Sequence, residues 1–177
     1  MSTSKKLLSI ILLTSIFGIF SLPSTASEQK TLNKSYKIKT TSNLAKIGRK
    51  AARKQVPILL EFAATDCSYC VLLENEILNP MLLSGDYNDK VIIRKVYIDE
   101  DLTVKDFNGR KIPLDKIVLR YGIYVTPTII FIDHKGKELA KRLIGINTVE
   151  YFGSDVDKAI DLSIKKIRKN QYSHHSQ

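Results

Sequence analysis

The only two cysteines of the chain stand three residues apart, shortly after an apolar segment. Residues 58–62 read Ile-Leu-Leu-Glu-Phe, which is typical of a buried strand, and Pro57 separates this run from the segment before it. From Cys67 onward, Cys70 and Leu73 recur at helical spacing. Cys67 is therefore predicted to lie where a buried strand turns into a helix, and the rest of the chain must fold around that corner.

Strand-like and helical segments alternate on both sides of this corner. The predicted order is a helix after Ser42, the strand at 58–62, the cysteine helix to about Met81, a strand at 91–98, an insert with an Asn108-Gly109 hairpin, a helix from about Pro113 to Tyr121, strands at 129–132 and 138–144, and a helix at 148–167. This order predicts an α/β fold in which a central mixed β-sheet is flanked by helices on both faces.

The N-terminal segment has the pattern of a secretory signal. Lys5 and Lys6 form a basic start, an apolar run covers residues 7–22, and small residues lead up to Ala26. We expect a signal peptide at residues 1–26 and hence an exported, periplasmic protein; an uncleaved membrane anchor is the alternative. The other predicted boundaries are a lead-in at 27–41, a folded domain at 42–168 and a flexible tail at 169–177.

The formal net charge of +10 admits nucleic acid, an anionic membrane or an acidic protein as a partner. The basic residues are spread along two amphipathic segments and the C-terminal tail, and they lack the interleaved aromatic residues of single-strand binders. We therefore interpret the charge as solvated surface and expect no nucleic-acid partner.

A Cys-x-x-Cys pair in an exported chain indicates redox chemistry. A disulfide that closes so short a loop adds little stability. A structural zinc site normally needs four ligands, and the histidines that would have to complete it are His134, His174 and His175, two of which lie in the tail. We therefore expect neither a metal nor another cofactor.

The two cysteines have different predicted roles. At the start of a helix the free N–H groups and the positive end of the dipole stabilise a thiolate. Cys67 is therefore predicted as the exposed nucleophile, and Cys70, one turn further on, as the buried cysteine that resolves the mixed disulfide. The alternative is that both are reduced structural cysteines inside a helix.

The strand–cysteine–helix unit is one of two motifs that the chain shares with a known family. The second is Thr126-Pro127-Thr128, which follows Tyr121-Gly122-Ile123. With both motifs the chain resembles the thioredoxin-like family over most of its length, from about residue 42 to 167. The resemblance implies that Pro127 is cis and that Thr126 faces the disulfide, where its backbone is offered to an extended substrate.

The resemblance also implies substrate-binding residues, a class of substrate and an electron donor. Ser68 and Tyr69, between the cysteines, join Thr126 and Pro127 as implied substrate-binding residues. The implied substrates are proteins with disulfides or thiols, and the implied electron donor is a thiol-transferring protein of the inner membrane.

Two charged positions match the family by spacing. Glu61, six residues before Cys67, stands where the family has a buried acid that moves a proton to or from the resolving cysteine. A carboxyl buried in an apolar strand has a raised pKa and can exchange protons near neutral pH. Lys95 stands where the family has a lysine near that acid. The alternative for Glu61 is an edge position that points to water.

The chain also departs from thioredoxin itself. Asp66 precedes Cys67 where thioredoxin has tryptophan, and its carboxylate either raises the pKa of Cys67 or caps the helix. The insert before Tyr121 is similar to that of thioredoxin-like proteins of sulfur oxidation or cytochrome maturation. Tyr69 beside Cys70, with Thr126 before the proline, resembles periplasmic disulfide isomerases.

Three functions follow from this pattern. We expect a thiol–disulfide oxidoreductase that acts as a disulfide reductase, and we favour a monomer. Because we expect no dimerisation domain of the isomerase type, an isomerase is the weaker alternative. An oxidase or isomerase would use the same residues with the opposite redox poise. A non-catalytic binding module would use only the groove around Pro127.

Overall fold

The computed structural model describes residues 36–175, with side chains up to residue 170. The predicted signal segment 1–26 and the lead-in up to residue 35 lie outside the described residues. The elements are α1 (Leu44–Lys54), β1 (Ile58–Ala63), α2 (Ser68–Leu73), a π-helical segment (Glu74–Leu78), α3 (Asn79–Ser84), β2 (Ile92–Tyr97), β3 (Thr103–Lys105), β4 (Lys111–Pro113), α4 (Leu114–Tyr121), β5 (Thr128–Ile132), β6 (Leu143–Ile144) and α5 (Val149–His175). No helix among these residues is long and apolar enough to cross a membrane.

Four strands form one mixed sheet in the order β2-β1-β5-β6. β1 runs parallel to β2 and antiparallel to β5, and β5 runs antiparallel to β6. All six residues of β1 are buried because this strand lies inside the sheet and is covered on both faces. The predicted α/β architecture with a mixed sheet is confirmed.

Alternate residues of β1 separate the core into two layers. Leu60 and Phe62 pack against α1 and α4 in one apolar cluster. Leu59 belongs to the other cluster, together with side chains of α5 and of the cysteine helix, by which we mean the run from α2 through the π-helical segment to α3. Because side chains alternate along a strand, Glu61 lies on the same face as Leu59, beneath the cysteine helix.

The cysteine helix continues through Pro80 rather than breaking there. Proline has no N–H to donate and its ring crowds the carbonyl four residues before it. The π-helical turn at Glu74–Leu78 directly precedes Asn79 and Pro80, and the Asn79 N–H donates to the carbonyl oxygen of Glu74, five residues before it. The helix ends at Gly85, which has φ of 79°.

The predicted Asn108-Gly109 hairpin is confirmed, since β3 and β4 pair on either side of it. The strand that follows β5 is shorter than the predicted 138–144. Only Leu143–Ile144 form β6, and Glu138 makes an isolated bridge with Ile132.

The last helix is longer than the predicted 148–167, since α5 continues to His175. Nothing in the sequence stops the helix at residue 167, because residues 164–175 contain neither glycine nor proline.

Candidate active site

Cys67 and Cys70 form a disulfide at the start of the cysteine helix, with 5.2 Å between their Cα atoms. Cys67 is the N-cap of α2, and its Sγ accepts a hydrogen bond from the N–H of Cys70 at 3.1 Å. Cys67 is half-buried, whereas only 2% of Cys70 is exposed. A substrate can therefore reach Cys67 more readily than Cys70, and the N–H that contacts the Cys67 sulfur would stabilise a thiolate there.

Asp66 does not cap this helix, because the capping atom is the Cys67 sulfur. Asp66 is exposed on the turn that leads to Cys67. The preceding residue, Thr65, donates its N–H and its hydroxyl to the carboxylate of Asp99, at 2.9 and 2.5 Å. These bonds lower the pKa of Asp99 and tie the approach to Cys67 to the segment after β2. The sequence pattern contains no signal for this contact.

Thr126 and Pro127 lie at the same end of the sheet as the disulfide. Thr128, the first residue of β5, is opposite Phe62 near the end of β1, and β1 leads to Cys67. The Thr126–Pro127 peptide bond is cis. Pro127 is buried and Thr126 is half-buried. The implied approach of Thr126 to the disulfide stays a prediction.

This end of the sheet carries exposed apolar side chains. Tyr69 lies between the cysteines and is 60% exposed, beside the exposed Ser68. Tyr124 and Val125 precede the proline, and Ile144 stands opposite Thr128 in the β5–β6 pair. All three are also exposed. An open apolar surface at the end of the sheet that carries the disulfide suits an unfolded or extended protein segment.

Glu61 is fully buried in β1, so the alternative of an edge position that points to water is wrong. Neither oxygen of its carboxyl has a hydrogen-bond partner among the described residues. Burial and then the negative charge of Glu74 raise the pKa of Glu61 to about 8, against the opposing effect of Lys95. The group therefore combines burial with a pKa near neutrality, which suits proton transfer.

Lys95 is paired with Glu61 across the β1–β2 ladder and is also buried. Its ammonium does not bond Glu61. Nζ is 2.6 Å from Oε1 of Glu74 and 4.7 Å from the centre of the Tyr97 ring. Burial lowers the pKa of Lys95, but the bonds with Glu74 and Tyr97 outweigh it and the pKa is raised. Lys95 thus lies near Glu61, as predicted, while its ion pair is with another residue.

Glu74 is the residue of this cluster that sequence reasoning missed. The available signal was its spacing, since Glu74 stands four residues after Cys70 and such residues share one helix face. His134 is not part of the site, because it lies on the exposed turn after β5. The side chains of His174 and His175 lie outside the described residues. Among the residues whose side chains are described, no group of three or more His, Cys, Asp or Glu could hold a metal ion.

Comparisons with known proteins agree with this fold. A family model described as a thioredoxin-like domain matches residues 44–160. Among solved structures, a DsbH oxidoreductase is similar with a TM-score of 0.54 and 19% identity, over 71% of this chain and 86% of that one. A thioredoxin of Malassezia sympodialis is similar with a TM-score of 0.50 and 19% identity, over 72% and 90% of the two chains. No curated protein sequence matches the chain. At these identities the structural likeness describes the fold alone.

Proposed function

The chain belongs to the thioredoxin-like domain family, and from this premise we propose that it is an exported thiol–disulfide oxidoreductase that reduces disulfides in protein substrates. The observation that carries the proposal is the unequal pair of cysteines, with Cys67 accessible at a helix start and Cys70 buried behind it. A cysteine pair of this kind in this fold is the site of a thiol–disulfide oxidoreductase.

The proposed reaction uses the two cysteines in turn. The Cys67 thiolate attacks one sulfur of a substrate disulfide, and the other substrate sulfur leaves as a thiolate. Cys70 then loses its proton and attacks Sγ of Cys67, which releases the second substrate thiol and forms the Cys67–Cys70 disulfide. Two electrons pass to the substrate, and a dithiol donor must supply two electrons to restore the enzyme.

Glu61 is the proposed acceptor of the Cys70 proton. Its carboxylate lies on the face of β1 beneath the cysteine helix, and with a pKa of about 8 it exists in both protonation states near neutral pH. The ionised form takes the proton when Cys70 attacks, and the protonated form returns it when the disulfide is reduced again.

Substrate binding is proposed at the exposed apolar surface around the disulfide. Tyr69 and Tyr124 offer large apolar areas, and Ser68 offers a hydroxyl beside the nucleophile. Thr126, next to Pro127, presents backbone groups that an extended substrate segment can pair with. The inner-membrane thiol donor proposed for recycling would use the same surface, because it must reach Cys67 as well.

The redox direction is tested by the reduction potential of the Cys67–Cys70 pair, equilibrated against glutathione or dithiothreitol. A value of about −250 mV or lower supports a reductase, because thioredoxin lies at about −270 mV. A value above about −150 mV overturns this direction in favour of an oxidase or isomerase. Fractionation of cells that produce the full chain tests the export.

The activity is tested by insulin reduction with matched variants. We expect Cys67→Ser to abolish turnover, and Cys70→Ser to accumulate a mixed disulfide with substrate because the resolving thiol is missing. Ser154→Ala, an exposed change on α5 and outside the site described above, is the control that keeps both thiols. If wild type and Cys67→Ser bound a protein partner equally and neither reduced insulin, the chain would be a binding module instead.

A further inference from the structure

Three charged side chains meet between the sheet and the cysteine helix, and the Tyr97 ring contacts the lysine among them. Glu61 comes from β1, Lys95 from β2, and Glu74 from the first position of the π-helical segment. β5, on the other side of β1, adds only the apolar Ile129 opposite Glu61. The cluster therefore contains one ammonium group and two carboxyl groups, and the ammonium is paired with only one of the two carboxyl groups.

The ammonium of Lys95 is bound to Glu74 and not to Glu61. The Nζ–Oε1 distance to Glu74 is 2.6 Å, although Glu61 is the ladder partner of Lys95 and is the more deeply buried acid. Both oxygens of Glu61 stay unbonded among the described residues. Glu74 retains some contact with water, with 14% of its side chain exposed, so its ionised form costs less to hold than that of Glu61.

Glu74 is also tied to the redox pair through the helix backbone. Its N–H donates to the carbonyl oxygens of Cys70 and Val71. Being four residues after Cys70, it projects from the same face of the helix as the resolving cysteine. Through Glu74, the Lys95 ammonium is attached to the helix that carries the cysteines.

We propose that Glu74 is a positioning residue of the redox site, which holds the Lys95 ammonium away from Glu61 and so leaves the buried carboxyl free to exchange a proton with the Cys70 thiol. This inference rests on the proposed proton transfer, but it does not depend on the redox direction. The step moves one proton from Sγ of Cys70 to a carboxylate oxygen of Glu61, and the thiolate that is left attacks Sγ of Cys67.

Two physical effects of Glu74 act in the same direction. Its negative charge repels the ionised form of Glu61, and its bond to Lys95 withdraws the one cation that would otherwise favour that form. A neutral residue at position 74 would remove the repulsion and release Lys95 toward Glu61. Glu61 would then stay ionised to lower pH and return a proton less readily.

Glu74→Gln tests the proposal with a change that keeps the shape of the side chain. The measurement is the pH profile of single-turnover reaction between the reduced protein and a small aromatic disulfide, from pH 5 to 10. Glu61→Gln identifies which inflection of the profile belongs to Glu61. Glu76→Gln is the matched control, since Glu76 is exposed two residues further along the same helix and loses the same charge.

We expect Glu74→Gln to move the Glu61 inflection down by about one pH unit or more, the usual effect of a nearby charge, while Glu76→Gln leaves it in place. Glu74→Asp keeps the charge and should move it less than half as far as Gln does. The proposal is overturned if the inflection stays at its wild-type pH in Glu74→Gln, or if Asp moves it as far as Gln.

The reduction potential and the pH profile together separate this proposal from the proposed function. A reduction potential above about −150 mV would overturn the reductase assignment, yet the Glu61 inflection and its response to Glu74→Gln would still be measurable. Conversely, the potential could be thioredoxin-like while Glu74→Gln leaves the Glu61 inflection at its wild-type pH. That result would support the reductase and would overturn the role proposed for Glu74.

Discussion

Two buried carboxyl groups of this protein, in the β3–β4 hairpin and in the redox site, have opposite environments. Asp106 follows β3 and is 4% exposed. It accepts hydrogen bonds from both terminal nitrogens of Arg120, at 2.9 and 2.8 Å, and from the N–H of Phe107 at 2.7 Å. Glu61 is fully buried and accepts none from the described residues.

The difference is visible in their proton affinities. The bonds from Arg120 and Phe107 hold the pKa of Asp106 below its usual value, so its charge is permanent in the physiological range. The pKa of Glu61 is raised to about 8. A satisfied buried carboxylate stabilises the fold, whereas an unsatisfied one is kept at a cost in stability and is available to titrate.

The largest expected effect is on catalysis, when the unsatisfied acid is removed. Glu61→Leu should slow thiol–disulfide exchange at pH 7 on the order of 100-fold, the lower end of what a positioned acid–base group contributes. The same change should increase the free energy of unfolding by about 1–3 kcal/mol, because an unbonded polar group is replaced by an apolar one. Stopped-flow kinetics and urea unfolding measure the two effects. If Glu61→Leu were less stable than wild type and fully active, Glu61 would behave like a structural acid, and its contrast with Asp106 would be wrong.

Removal of the satisfied acid should have the opposite sign. Asp106→Ala is expected to lower the free energy of unfolding by about 2 kcal/mol, because it leaves Arg120 and the Phe107 N–H without their acceptor. Under conditions in which the variant is fully folded, its rate of thiol–disulfide exchange should not change, since Asp106 lies in the hairpin insert and outside the redox site. Urea unfolding and insulin reduction in parallel check this pair of outcomes, and a loss of activity in the folded variant would break the comparison.

The two acids should also act on stability in different pH ranges. The folded-state pKa of Glu61 is above its usual value of 4.5, so the folded state binds more protons between pH 4.5 and about 8 and stability falls as pH rises through that range. The slope is at most about 1.4 kcal/mol per pH unit. Asp106 has a lowered pKa, so its contribution is present above 3.8 and is lost as pH falls through the folded-state value.

Thermal or urea unfolding across pH 3–9 tests both signs. Glu61→Gln should flatten the decline of the free energy of unfolding between pH 4.5 and about 8, and it should not change the loss of stability at acidic pH. Asp106→Asn should reduce only the loss of stability at acidic pH. If Glu61→Gln left the neutral side unchanged, the raised pKa of Glu61 would be contradicted.

The smallest effect is expected from a carboxylate that water already solvates. Asp155 pairs with Lys158 at 3.1 Å on the surface of α5, and 52% of its side chain is exposed. Asp155→Asn should change the free energy of unfolding by less than about 0.5 kcal/mol, because exposed ion pairs contribute little. Urea unfolding measures this effect. A larger value would show that the loss of a negative charge by itself accounts for part of the destabilisation in Asp106→Ala.

The chain's own pattern was sufficient for the fold class and for the location of the cysteines. The apolar run 58–62, the helical spacing after Cys67 and the Asn108-Gly109 pair each act through local backbone preferences, which neighbouring residues determine. The same local signals placed Glu61 in a buried strand, and the family resemblance supplied Pro127.

Local sequence patterns did not predict which side chains of distant segments contact each other. Lys95 was predicted near Glu61, but its choice of Glu74, 21 residues away along the chain, depends on how the cysteine helix sits on the sheet. The capping of the helix by Cys67 rather than Asp66 depends on the backbone at the corner.

By itself, then, the sequence determined that two cysteines begin a helix after a buried strand in a mixed α/β fold. The tertiary structure alone decided which of two buried acids is satisfied and which is free to titrate. The reason is that periodicity is a property of one segment, whereas hydrogen bonding and desolvation depend on the atoms that other segments bring within about 3 Å.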